Sequence, residues 1–226
     1  SEYGTYQKEL ADWVSSALPG ARDVCDAGCG LGFLSLHLSE RFDRVTAADI
    51  SAQALDVLRR KKAALGRSNL TVLQTDLLRF EQPEPFDAMV FCLFGAMDEA
   101  LRIAKRNCAG RVVILKKAFT HHRFSMTSVP LRHETATQAA QQLQARGIAF
   151  SLQTRTFEMG QPLQSVSDAM RFFSLYSKDA PDALTCEAVQ ARLVQTDDAA
   201  FPYYLPQEKT LGRFIIDTKD IPEDFL

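Results

Sequence analysis

Asp26, Gly28, Gly30 and Gly32 stand in the run Arg22-Asp-Val-Cys-Asp-Ala-Gly-Cys-Gly-Leu-Gly32, an apolar strand that ends in a carboxylate and three alternating glycines. Glycine removes the Cβ where a chain turns sharply and lets a ligand lie against bare backbone. Residues 31–42 read as a helix, so the turn lies at a helix N-terminus whose unpaired N–H groups face a ligand. This combination suits a nucleoside-bearing molecule. The dinucleotide fingerprint is spaced G-x-G-x-x-G and holds pyrophosphate on the helix N-terminus. Here the spacing is G-x-G-x-G, and Asp26 would repel pyrophosphate but could hold an ammonium group through water or backbone. A nicotinamide dehydrogenase therefore fits poorly, and a tight turn without a ligand is the other reading of this stretch.

Two further acids follow in register. Asp49 ends a second apolar run, residues 44–49, about twenty residues past the glycines, where a ribose-binding carboxylate is expected. Its other possible role is to cap the helix over 51–65, but Ser51 can do that instead. Asp76 follows a third strand, 70–75, and is either a ligand-facing acid or a turn residue.

These residues need a scaffold, and the chain alternates strand and helix signals along most of its length. Helices are predicted near 5–17, 31–42, 51–65, 95–107 and 132–146. Strands are predicted near 22–26, 44–49, 70–75, 86–92, 111–117, 148–157 and 210–217. Regular alternation implies right-handed βαβ units, and so a doubly wound, seven-stranded, mostly parallel α/β sheet with helices on both faces. Phe86-Asp-Ala-Met-Val-Phe-Cys92 is the continuous apolar run of a central strand. Its carboxyl end should lie beside the glycine turn, where open α/β sheets bind ligands.

The run Asp26-Ala-Gly-Cys-Gly-Leu-Gly32 resembles motif I of the class I (Rossmann-like) S-adenosylmethionine-dependent methyltransferases, of the type acting on small molecules. The resemblance covers about residues 20–118 by motif and the remainder only by topology. It implies that Asp26, Gly28, Cys29 and Gly30 hold the methionine part of the cofactor. It further implies that Asp49 and Ile50 lie at the ribose, Asp76 and Leu77 at the adenine, and Phe91 beside them. Tyr6, on an N-terminal segment that often closes over the cofactor in this family, joins that set. The family also implies an antiparallel last strand and S-adenosylhomocysteine as product. Where amino-methylating members carry Asn/Asp-Pro-Pro-Tyr/Phe, this chain has Phe91-Cys-Leu-Phe94, which removes the marker of base or amide methylation.

The resemblance makes residues 1–226 one methyltransferase domain. Residues 1–20 are an N-terminal helix or lid, 21–157 the cofactor-binding core, 158–209 an insertion, and 210–226 the last strand and tail. The insertion is longer than a hairpin needs and contains Ser165-Val-Ser-Asp168, which looks like a capping box before an apolar helix face, with another helix signal near 185–195. This helical insertion is expected to be a lid or substrate-binding element, or else a dimer interface or edge cover; monomer and homodimer stay open.

Direct methyl displacement depends chiefly on positioning, so a base is optional. Candidates are His121 and His122 after the fifth strand, Glu158 after the sixth, and Tyr203 with Tyr204 in the insertion. Lys116, Lys117, His121, His122 and Arg123 are a positive cluster suited to a carboxylate or phosphate. Successive residues of a strand point to opposite faces, so the two lysines cannot share a pocket, and a solvated sheet end is expected.

The 226 residues, 46% hydrophobic and 24% charged, suffice for one core without disulfides. A net charge of -2 gives no footprint for a nucleic-acid backbone. No metal-ligating cluster is present in the sequence, so no metal is expected. Five cysteines without a C-x-x-C pair suit a reducing compartment. No run approaches the roughly 18 apolar residues of a membrane span, and the start lacks the pattern of a signal peptide. A cytoplasmic protein with a small-molecule substrate is the expectation; the alternatives are a protein or RNA methyltransferase of the same fold, or a non-catalytic S-adenosylmethionine-binding protein.

Overall fold

The computed structural model describes residues 6–121, 124–127, 130, 133–177 and 181–225. Its elements are α1 (Tyr6–Ser15), β1 (Asp23–Ala27), α2 (Phe33–Leu38), β2 (Arg44–Asp49), α3 (Ala52–Ala64), β3 (Leu70–Gln74) and β4 (Phe86–Cys92). There follow α4 (Met97–Asn107), β5 (Cys108–Lys117), α5 (Ala136–Ala145), β6 (Ser151–Glu158), β7 (Gln161–Leu163) and α6 (Val166–Tyr176). The chain continues through α7 (Cys186–Gln190), β8 (Val194–Gln195), β9 (Tyr203–Leu205) and β10 (Glu208–Asp217).

Seven strands form one sheet in the order β3-β2-β1-β4-β5-β10-β6. The pairs from β3 through β5 are parallel, whereas β10 runs antiparallel to both β5 and β6. The expected doubly wound α/β sheet with an antiparallel last strand is therefore present. At β5 both faces are dry, because alternation sends Val113 and Leu115 to one core with α1, α2 and α3, and Val112 and Ile114 to the other with α4 and α5. The order reverses between β1 and β4, which opens a crevice outside their carboxyl ends.

Several helix starts move inward from the sequence reading. The chain first becomes helical at Phe33 because Gly30 and Gly32 are left-handed. Helix α5 begins at Ala136, where Thr135 accepts from the Gln138 N–H and the Gln138 side chain reaches back to the Thr135 N–H. That is a reciprocal cap, and it satisfies two otherwise unpaired donors.

The stretch between β6 and β10 is not purely helical. It also folds a small antiparallel sheet, β7-β9-β8, that the sequence reading did not include, and its second helix is shorter than expected. Phe124, Leu163, Ala169, Phe173, Val189 and Leu205 form a separate small core beneath it. At Ser165 the hydroxyl accepts from the Asp168 N–H as expected, but the Asp168 carboxylate bonds the N–H of Gln164 rather than that of Ser165.

Candidate active site

The turn after β1 is tied to β2, since Gly28 N and Cys29 N both donate to Ala48 O at 2.8 and 3.1 Å. Gly28, Gly30 and Gly32 all have positive φ, at 74°, 53° and 72°, which side-chain-bearing residues rarely adopt. Two of them also make room. A Cβ on Gly28 would lie 2.2 Å from Phe94 Cδ2, and one on Gly32 would lie 2.3 Å from Leu58 Cδ1. Gly30 is different, with nothing within 4 Å of that position. Its bare backbone faces open space, as a cradle for a ligand requires.

Asp49 fixes this cradle from β2. Its Oδ2 accepts from Gly30 N at 2.8 Å, and its Oδ1 accepts from Ser51 N at 2.9 Å. Ser51 in turn caps α3 through Ala54 N, which leaves Asp49 free for the turn. Each carboxylate oxygen retains acceptor capacity for a ligand hydroxyl.

Asp26 lies deeper, only 1% exposed, and its Oδ2 accepts from Ser35 Oγ at 2.5 Å. Burial raises its carboxyl to about 6; the Ser35 hydrogen bond opposes that rise and the Asp49 charge adds to it. Asp26 thus braces β1 against α2 beneath the turn. Burial, then Asp26 and Asp49, also push the Cys29 thiol up, and Cys92 is pushed to about 12 by burial and Asp26. Neither thiol is a ready nucleophile.

Asp76 lies past β3, with Oδ1 accepting from Leu78 N at 3.0 Å and Arg79 3.7 Å away. Leu77, the expected apolar neighbour of the adenine, is turned into the core, and the exposed leucine beside Asp76 is Leu78. The turn after β3 points Leu77 inward, so Leu78 takes the rim position. Phe91 is likewise fully buried on the α4 side of the sheet, with its ring tilted against that of Phe94 at 5.8 Å between ring centroids. Leu31, Ile50, Leu78 and Leu93 are exposed apolar side chains, and each follows the carboxyl end of a parallel strand, β1, β2, β3 or β4. Tyr6 opens α1 and packs edge-on against Phe157 at 5.5 Å; burial and then Cys92 push its hydroxyl well above the usual range.

Beyond β4 the chain does what its sequence does not announce. Leu93 has φ of 57°, and Gly95 follows at 46°. A left-handed leucine is strained by roughly 1–2 kcal/mol. The Lys116 ammonium holds this loop, donating to Gly95 O at 2.7 Å and to Phe94 O at 3.5 Å. Lys116 also pairs with Glu134 at 2.9 Å, and the same Glu134 oxygen accepts from Met97 N at the start of α4. The expected solvated sheet end is therefore corrected, because Lys116 is 3% exposed and committed to this clamp. Leu93, Gly95, Lys116, Lys117, His133 and Glu134 line a cavity of about 310 Å³ beside it, so the two lysines do share a pocket, contrary to the expectation from strand alternation, because Lys117 ends the strand.

The candidate bases do not converge. His121 is exposed and shares a 2.9 Å hydrogen bond between its Nδ1 and Thr120 Oγ1. His122 and Arg123 lie outside the described residues. Glu158 Oε1 accepts from Gly160 N, Tyr204 Oη and Gln207 N at 2.8–2.9 Å, which makes it the lock of the turn into β7. Burial pushes its carboxyl up, but those three bonds outweigh it and hold the group below the usual range. Tyr203 packs against the small core under the insertion, while burial and Glu158 raise the Tyr204 hydroxyl to about 12. Ser35 and Glu134 were not among the residues expected to build the site, whereas Leu93 and Phe94 follow from the position of the β4 carboxyl end and Lys116 was expected only as part of a positive cluster. Neither Ser35 nor Glu134 carried a local signal, because each acts through a partner distant in the chain. Among the described residues no group of three His, Cys, Asp or Glu could hold a metal, and no helix is long and apolar enough to cross a membrane.

Comparison with known proteins agrees with this geometry. Residues 24–113 match a family model described as a methyltransferase domain. The chain is 46% identical over 54 residues to a cypemycin N-terminal methyltransferase from Streptomyces, covering 24% of this chain and 22% of that one. It is 32% identical over 77 residues to an S-adenosyl-L-methionine-dependent Diels-Alderase from Talaromyces variabilis, covering 33% and 26%. The matched segments thus span about a quarter of these relatives. The fold resembles that of the YcgJ protein of Bacillus subtilis, with a TM-score of 0.58 at 14% identity, over 93% of this chain and 98% of that one. The glycine turn, the acid at the end of β2 and the strand order agree with that match, so residues 24–113 are similar to a methyltransferase domain carried on the same α/β fold.

Proposed function

We propose that this chain transfers a methyl group from S-adenosylmethionine to a small-molecule acceptor, leaving S-adenosylhomocysteine. The observation that carries this is the open backbone of Gly30 next to an Asp49 carboxylate already fixed by Gly30 N and Ser51 N. When bound, S-adenosylmethionine supplies a methyl group on a sulfonium, open to in-line displacement.

The chain's own residues hold and exclude. Gly28, Cys29 and Gly30 give the backbone cradle, with the buried Asp26 as the negative charge beneath it. Asp49 accepts from ribose hydroxyls, Asp76 takes the adenine end, and Ile50 and Leu78 offer apolar walls. Leu93 and Phe94 form the wall on the reacting side, and Tyr6 closes the far edge. Residues 158–209 act as the lid. Among the described residues the candidate bases sit on separate elements, with His121 exposed beyond β5 and Glu158 already accepting three hydrogen bonds, so the rate comes from holding the reactants in near-attack geometry. The acceptor is accordingly a thiol, an amine or an acidic oxygen, nucleophilic enough to react once aligned. A net charge of -2 disfavours a nucleic-acid acceptor.

A second reading keeps the cofactor without methyl transfer; it is favoured by the similarity to a cofactor-dependent Diels-Alderase and by the dispersed bases. Methyl-labelled S-adenosylmethionine incubated with the protein and cell extract, then passed through an ultrafilter, separates the two. Label is expected on new species in the filtrate. Label only on retained macromolecules overturns the small-molecule acceptor, and no transferred label anywhere supports the second reading.

A further inference from the structure

Lys117 and Lys209 are the chemistry that the cofactor site leaves unused. Leu211 faces Lys117 across the β5–β10 ladder, and Lys209 lies two residues before Leu211 on the same strand. Side chains two apart share a sheet face, so both lysines project to the side opposite Lys116. Each is only partly exposed. Unlike Lys116 with its Glu134, neither has an acidic side chain within ion-pair distance among the described residues. Phe124 lies under Lys209, with Nζ 4.1 Å from the ring centroid, and Phe157 faces Lys209 from β6.

The pair is electrostatically unfavourable as it stands. Burial first, and then the Lys117 charge, push the Lys209 ammonium down to about 8, and burial lowers Lys117 as well. Half-buried like charges with no counter-ion oppose folding, and such arrangements gather where a ligand brings the missing charge. The position supports a ligand role. Although it leaves β5 on the other face, Lys117 at the strand end lines the 310 Å³ cavity together with Leu93, Gly95 and the Lys116–Glu134 pair, beside the loop that lays Phe94 over Gly28. Cofactor cradle and Lys117 therefore flank one loop, with Lys209 beside Lys117 on the neighbouring strand.

Resting on the methyl-transfer reading, we infer that Lys117 and Lys209 form the subsite for an anionic group, a carboxylate or a phosphate, carried by the acceptor. Two ammonium donors on neighbouring strands match the spread oxygens of either anion. The acceptor is then a small organic acid or phosphate ester, held by its charge while its nucleophile lies toward Phe94.

Lysine side-chain NMR of the whole chain, titrated with acetate and separately with methyl phosphate, tests this with and without S-adenosylhomocysteine. At least one anion is expected to shift the Lys117 and Lys209 signals saturably, and the stronger of the two identifies the group. Lys117→Met should weaken that binding by about tenfold and leave S-adenosylhomocysteine affinity unchanged. Lys209→Gln gives an independent measure should Lys117→Met fail to fold. No saturable shift with either anion, or equal anion affinity in the folded variant, overturns the subsite. Anion binding without S-adenosylhomocysteine binding keeps the subsite and removes the methyl-donor reading.

Discussion

Lys116→Met is expected to lower stability by about 3–5 kcal/mol, because it leaves the Glu134 carboxylate buried without its cation. Lys116 is 3% exposed, and the Glu134 side chain 13%. The same change removes the donor to Gly95 O and Phe94 O that holds Leu93 in a left-handed conformation. A destabilisation of this size should lower the melting temperature by roughly 10 °C for a chain of this length. Replacing both partners, Lys116→Met with Glu134→Gln, should recover more than half of the loss, since an exchanged buried pair is often close to neutral. Urea unfolding of the two variants checks this. A single variant within about 0.5 kcal/mol of wild type, the range of ordinary surface changes, would show that the clamp is solvated.

Asp26→Asn should act in the opposite direction. The folded carboxyl titrates at about 6, whereas an unfolded aspartate titrates near ~3.9. The folded state therefore binds the proton more tightly. The contribution of Asp26 to stability is highest below about pH 4, falls as pH rises toward about 6, and stays at the lower level above that. Asparagine carries no charge and can still accept from Ser35 Oγ, so it should flatten this profile and stabilise the fold at pH 7 by roughly 2–3 kcal/mol. If the buried charge faces the ammonium end of the cofactor, the same variant binds S-adenosylhomocysteine at least about tenfold more weakly. A gain in stability with a loss of binding is the pattern of a group retained for function. A variant whose pH profile still falls between pH 4 and 6 would assign the titration to another residue.

The legible parts of this chain were those written in local pattern. Continuous apolar runs marked β1, β2 and β4 to within one or two residues, and the acid at the end of β2 stood where a doubly wound sheet requires it. Ser51 could be separated from Asp49 because capping depends on adjacent chemistry. What stayed hidden depends on distant partners. Lys116 is buried only because Glu134, on the far side of a loop, neutralises it, and strand alternation carries no record of that. Leu93 adopts a conformation that leucine disfavours, so propensity points away from it. Strands β7, β8 and β9 have two or three residues each, too few for any period to show. Leu77 and Leu78 are adjacent leucines, and which of them faces solvent is decided by the turn after β3.

The calorimetric titration of S-adenosylhomocysteine into wild type and Asp49→Ala bears most directly on the central claim. Asp49 braces Gly30 and is placed to accept from the ribose, so saturable 1:1 binding by wild type and a loss of at least about tenfold in the variant are expected, with the fold retained by circular dichroism. No binding by wild type, or equal affinity in a folded Asp49→Ala protein, would contradict the account.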